Sequence, residues 1–145
     1  RRGIRGVMRI FVDTSALLSL LDADDRDHRA VRDALHELVA ADGCLLISSY
    51  VLVETGALVR RRLGMSAFRA LGDAVEQAME VIWIDGPLHR LAWRHASVEG
   101  RKGPSLVDWT SFLVMDAEGV TTALTLDGHF GEQGYRMLPV SDESS

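Results

Sequence analysis

At 145 residues the chain is sized for one domain with a single core, and its 47% hydrophobic and 26% charged content excludes a disordered or fibrous polymer. No apolar run approaches the roughly 20 residues needed to cross a bilayer, and the single cysteine, Cys44, excludes an internal disulfide. A net charge of −5 runs against the basic surface usual for proteins that handle nucleic acid.

Residues 1–7 precede Met8 and carry no secretory-type apolar stretch; they are set aside as an expression remnant or an upstream extension. The domain is expected over 8–140, with 141–145 a flexible tail, in a reducing, cytoplasmic setting. Arg9–Val12 reads as a short buried strand ending at Asp13, after which Thr14 can cap a helix through Leu21. A polar turn over 22–27 leads to a helix from His28 to Ala41, with Val31, Ala34, Leu35 and Leu38 at helical spacing. Leu45–Ser48 is a second strand, preceded by Cys44 as a small core residue. Tyr50–Leu63 is a helix placing Val53, Ala57 and Leu58 on one face. Ser66–Met79 is another, with Phe68, Leu71, Val75 and Met79 inward. Val81–Ile84 is a third strand, and Pro87 opens a helix through about Glu99. Ser105 caps a helix from Leu106 to Glu118, with Asp108 in the position of a capping-box acid. Val120–Thr125 is a fourth strand and Arg136–Val140 a short fifth. Strands alternating with helices predict an α/β domain with a mostly parallel sheet of four to five strands.

In such a sheet, sites form outside the carboxyl ends of the strands. Asp13 directly follows the first strand and Asp127 the fourth, while Glu54 and Asp108 start helices that open at the same edge. Each acid also has a plainer reading: Asp13 as an N-cap, Asp127 before Gly128 as a turn residue, Glu54 and Asp108 as acids favoured by a helix dipole. Four together point to a metal site. Mg²⁺ and Mn²⁺ prefer carboxylate oxygen, and clustered carboxylates without a cation repel one another. Setting four site acids aside leaves 17 acidic against 16 basic residues, so the rest of the chain is near neutral.

The segments Phe11-Val12-Asp13-Thr14-Ser15, Tyr50-Val51-Leu52-Val53-Glu54-Thr55, Ser105-Leu106-Val107-Asp108-Trp109 and Leu124-Thr125-Leu126-Asp127-Gly128-His129-Phe130, in this order, resemble the PIN domains, and among them the VapC-like toxin ribonucleases. The resemblance implies a three-layer α/β/α fold and metal ligands at Asp13, Glu54, Asp108 and Asp127. It also implies that Thr14 orients Asp13 or a metal-bound water. Mg²⁺ or Mn²⁺, an RNA substrate, a homodimer and a small antitoxin blocking the site follow from it as expectations. Trp109 is bulkier than the family pattern, and Pro104 stiffens the loop before it.

Arg61, in the run Arg60–Arg62, reads as a solvated face or an RNA or antitoxin contact; Arg101 and Lys102 lie in a loop where phosphate contact is expected. His129 reads as a helix-start residue rather than a catalytic base, and Trp83 and Trp93 as core or dimer-face residues. Two other classes compete. A haloacid-dehalogenase-type phosphohydrolase would need an acid at position 15, which is Ser15; a non-catalytic PIN-like binding module would not need all four acids.

Overall fold

A computed structural model of the chain describes residues 8–141. Five parallel strands alternate with seven helices among those residues: β1 (Arg9–Val12), α1 (Thr14–Leu21), α2 (His28–Ala40), β2 (Cys44–Ser48), α3 (Ser49–Leu63), α4 (Met65–Ala78), β3 (Met79–Ile82), α5 (Gly86–Glu99), α6 (Leu106–Glu118), β4 (Thr122–Leu124), α7 (Gly128–Glu132) and β5 (Arg136–Leu138). The spatial order β3-β2-β1-β4-β5 places β1 at the centre. Ile10 lies level with Leu45 on β2 and with Thr122 on β4, and Ile10, Phe11 and Val12 are at most 1% exposed. A strand covered on both faces cannot alternate apolar with polar residues, so β1 reads as the unbroken run Ile-Phe-Val.

The connections after β1 run outward through β2 to β3, and those after the return to β4 run outward the other way to β5. The direction of winding thus reverses between β1 and β4, and a crevice opens at the carboxyl ends of those two strands. The opposite edge is closed by Arg9, whose guanidinium donates to the Glu118 carbonyl at 2.8 Å and the Glu118 carboxylate at 3.0 Å.

Several expectations need correction. The third strand begins two residues earlier than its most apolar run, because Leu45 to Ser48 pair with Met79 to Ile82. Trp83 then falls beyond the strand and is 73% exposed, and Trp93 is 56% exposed; neither belongs to the core. Cys44 is exposed, since it is the first residue of β2 at the open amino end of the sheet. On α3 the buried row is Val51, Thr55 and Val59 with Ser49 and Gly56, whereas Val53 is 70% exposed. Small residues at Thr55 and Gly56 bring α3 close to its neighbours, and they outweigh the larger Val53 and Leu58 in setting the face. On α4, Leu71 and Val75 are buried as expected, while Phe68 stays partly open beside Gly56. The terminal assignments, 1–7 and 142–145, lie outside the described residues.

Candidate functional site

Asp13 leaves β1 with its backbone N–H donating to the Leu124 carbonyl at 3.0 Å, which ties the ends of β1 and β4 together. Its side chain caps α1, a role expected of Thr14. One oxygen, Oδ2, accepts from Ser15 Oγ at 2.7 Å, Thr125 Oγ1 at 2.9 Å and the Ser15 backbone N–H at 3.3 Å. Among the described hydrogen bonds none reaches Oδ1, which is left for another partner. Ser15 Oγ also accepts from Leu126 N, and Thr125 Oγ1 from Asp127 N, so two hydroxyls connect the first acid to the backbone of the second and of the residue before it. Burial pushes the Asp13 carboxyl above its ordinary value, the Asp127 charge adds to this, and the Ser15 and Thr125 bonds oppose it.

Thr14 does something else. Its hydroxyl donates to Glu54 Oε1 at 2.8 Å and accepts from the buried Thr55 Oγ1 at 3.0 Å. It therefore orients Glu54 and leaves Asp13 to Ser15 and Thr125, two residues that the sequence did not single out for this.

Asp108 occupies the third position of α6, and the full capping box is present. Its Oδ2 accepts from Ser105 N at 2.9 Å, and its own N–H donates to Ser105 Oγ at 3.0 Å. This is local sequence logic: Ser-x-x-Asp saturates free N–H groups at the helix start and fixes the carboxylate at the crevice. The carboxyl is pushed up to about 6, chiefly by burial, with the backbone bond from Ser105 opposing and the charges of Asp127 and Asp13 adding. Asp127 caps α7, Oδ1 accepting from His129 N at 2.9 Å.

Asp108, Asp127 and His129 each bring one ligand-type atom within 4.8 Å of the others. His129 Nδ1 lies 3.2 Å from Asp127 Oδ1 and 3.9 Å from Asp108 Oδ2, and it is buried with no hydrogen-bond partner. Asp13 and Glu54 stand outside this tight group. Asp13 acts on it through its charge, and Glu54 reaches the same edge through Thr14. Two buried carboxyls and the Asp127 charge that repels them, with an imidazole nitrogen lacking a hydrogen-bond partner among them, suit a small divalent cation.

The basic candidates lie further out. Arg101 and Lys102 are exposed in the turn between α5 and α6, seven and six residues before Asp108. Arg61 is exposed on the last turn of α3, about 10 Å beyond Glu54 at 1.5 Å per residue. Trp109 is buried, with its ring stacked on His95 at 4.5 Å, so it packs α6 against α5 instead of filling the crevice. Pro104 is buried in the same turn.

The model of the PIN domain family matches residues 10–134. This chain is a PIN domain. Over 127 residues it is 31% identical to the 23S rRNA-specific endonuclease VapC20 of Mycobacterium tuberculosis, covering 87% of this chain and 95% of that protein. It is 41% identical over 119 residues to ribonuclease VapC26 of the same organism, covering 81% and 86%. The crystal structure of M. tuberculosis VapC20, a sarcin–ricin-loop-cleaving toxin, superposes on this PIN domain with a TM-score of 0.75 at 32% identity, covering 87% and 95% of the two chains. VapBC2 from Rickettsia felis bound to a promoter DNA fragment matches with a TM-score of 0.65 at 17% identity, covering 90% and 97%, which speaks for the fold alone. The PIN domain thus carries the VapC-like character that its four acidic segments suggested.

Proposed function

We propose that this PIN domain is an endoribonuclease that hydrolyses RNA phosphodiester bonds at an acidic Mg²⁺ or Mn²⁺ site, acting as the toxin of a toxin–antitoxin pair. The observation that carries the reading is the convergence of Asp108 and Asp127, backed by the buried Asp13, at the crevice between β1 and β4. The similarity to VapC20 and VapC26 supports RNA as the substrate class.

Asp13, Asp108 and Asp127 would hold the cation, with Glu54 completing the acidic set. When bound, such an ion polarises the phosphodiester and lowers the pKa of a coordinated water. The chain's own residues supply position. Ser15 and Thr125 hold Oδ2 of Asp13 and leave Oδ1 without a described hydrogen bond, and Ser105 fixes Asp108. Thr14 holds Glu54 through a 2.8 Å hydrogen bond to Oε1, and Glu54 would serve as the fourth acidic ligand. Arg101 and Lys102, in the turn that leads into α6, are assigned to RNA phosphates, and Arg61 to a more distant contact. A homodimer, a small antitoxin covering the crevice and a cytoplasmic setting complete the proposal.

End-labelled total RNA incubated with the protein in Mn²⁺, Mg²⁺ or EDTA provides the test, with Asp13→Asn run beside the wild type. Metal-dependent cleavage that the folded variant lacks is the expected result. Equal cleavage by both proteins would overturn the site assignment, and no cleavage by either would favour a binding-only PIN domain.

A further inference from the structure

We propose that His129 is a direct nitrogen ligand of the metal ion, and that it tilts this centre toward Mn²⁺ and away from Mg²⁺. The inference deepens the ribonuclease reading by naming what selects the ion.

The argument begins with an unsatisfied atom. His129 Nδ1 is buried, and no hydrogen-bond partner reaches it. Its neighbours are Asp127 Oδ1 at 3.2 Å and Asp108 Oδ2 at 3.9 Å. Protonated, Nδ1 would sit close to Asp127 without a geometry that makes a hydrogen bond. With its proton on the other ring nitrogen, Nδ1 would point a lone pair at two carboxylate oxygens. The first state is an ion pair with Asp127, whereas the second leaves a buried lone pair facing carboxylate oxygens, which proteins rarely tolerate. A cation shared by the imidazole and the two carboxylates removes the conflict in the second state.

The backbone that carries the ring is fixed. The backbone N–H of His129 donates to Asp127 Oδ1 at 2.9 Å, and the next residue, Phe130, is fully buried against Phe112 at 5.0 Å between centroids. Asp127, His129 and Phe130 thus form one clamp: cap, donor and anchor. An all-oxygen site suits Mg²⁺, whereas an imidazole donor favours first-row transition ions.

The test uses the full chain without RNA. Mn²⁺ alone and Mg²⁺ alone are titrated by calorimetry into the wild type, His129→Gln and His129→Ala, each checked for a cooperative melt. Pulsed EPR of the Mn²⁺ form then reports whether nitrogen is bound directly. We expect ¹⁴N coupling in the wild type and none in either variant. Mn²⁺ affinity should fall about tenfold or more, with Mg²⁺ affinity nearly unchanged. Absence of ¹⁴N coupling in the wild type, or an equal loss for both ions, would overturn the proposal. Nitrogen coupling without RNA cleavage would sink the ribonuclease reading and leave this ligand in place. Cleavage without nitrogen coupling would do the reverse.

Discussion

Oδ2 of Asp13 accepts three hydrogen bonds, two of them from hydroxyls that in turn accept from the backbone around Asp127. Bonds to a charged group contribute about 1.5–3 kcal/mol each, so Ser15→Ala should lower stability by roughly that amount. It should also reduce RNA cleavage by tenfold or more, because Asp13 is then held by Thr125 and a long backbone bond alone; urea unfolding and a cleavage assay on the same preparation measure both effects. Asp108 makes the opposite contribution. Its carboxyl ordinarily titrates near 3.8 and in the folded chain near 6, so the folded state binds the proton more tightly. Stability from this group is therefore greatest in acid and is lost as pH rises from about 4 to about 6, by about 3 kcal/mol at most. Asp108→Asn keeps the acceptor for Ser105 N and abolishes that penalty. In EDTA the variant should be more stable than the wild type near pH 7.5 and about equal to it near pH 4, by urea unfolding. A penalty of the same size at both pH values would contradict the assigned cause. Single acids were legible in the sequence because strand ends and helix starts are marked by local pattern. The hydroxyl pair Ser15 and Thr125, and the position of His129, were not. The first depends on β1 and β4 being neighbours and the second on α7 meeting the start of α6, facts about distant segments that no local signal contains.

At the level of the helix, α3 shows where pattern reading fails. Its sequence is apolar at Val51, Leu52, Val53, Ala57, Leu58 and Val59, so more than one helical face is apolar. The buried row is decided by contact with α1 and α4, where Thr55 and Gly56 permit close approach. Val59→Ala should cost roughly 2 kcal/mol, from two lost methyl groups and the cavity they leave. Val53→Ser, on the same helix, should change stability by less than about 0.5 kcal/mol. Chemical denaturation of the two variants compares them directly, and a larger loss at Val53 would mean the buried face has been misassigned. By contrast α6 was legible almost residue for residue. Its capping box, Ser105 with Asp108, and its left-handed Gly119 at the end are local devices that need no tertiary information. Cys44 was misplaced for the reverse reason: an apolar run follows it, but a strand's first residue lies at the sheet's open end.

Over the whole molecule, the alternation of strands and helices was enough to give a parallel α/β sheet, and the order β3-β2-β1-β4-β5 then puts the winding reversal where Asp13 and Asp127 meet. The acidic balance is concentrated there. If the repulsion between the site carboxyls is what a cation relieves, millimolar Mn²⁺ or Mg²⁺ should raise the melting temperature by several degrees. An ion held at 100 times its Kd adds about 2.7 kcal/mol. A differential scanning experiment in EDTA and in each metal reports this, and Asp127→Asn should blunt the shift. No rise at saturating metal would argue that the acids do not form a site in the free protein. The link between the ends of β1 and β4 has a further consequence for how this molecule fails. Asp13 bonds Leu124 through its backbone, and Ser15 and Thr125 cross the same seam through their hydroxyls. That seam is the middle of the sheet, buried on both faces, so it belongs to the last part of the structure to open. Fraying at the edge strands would spare it. Asp13 and its hydroxyl partners would then hold until the whole fold is lost, whereas His129, on α7 against the edge strand β5, would be released earlier and leave a folded but inert intermediate.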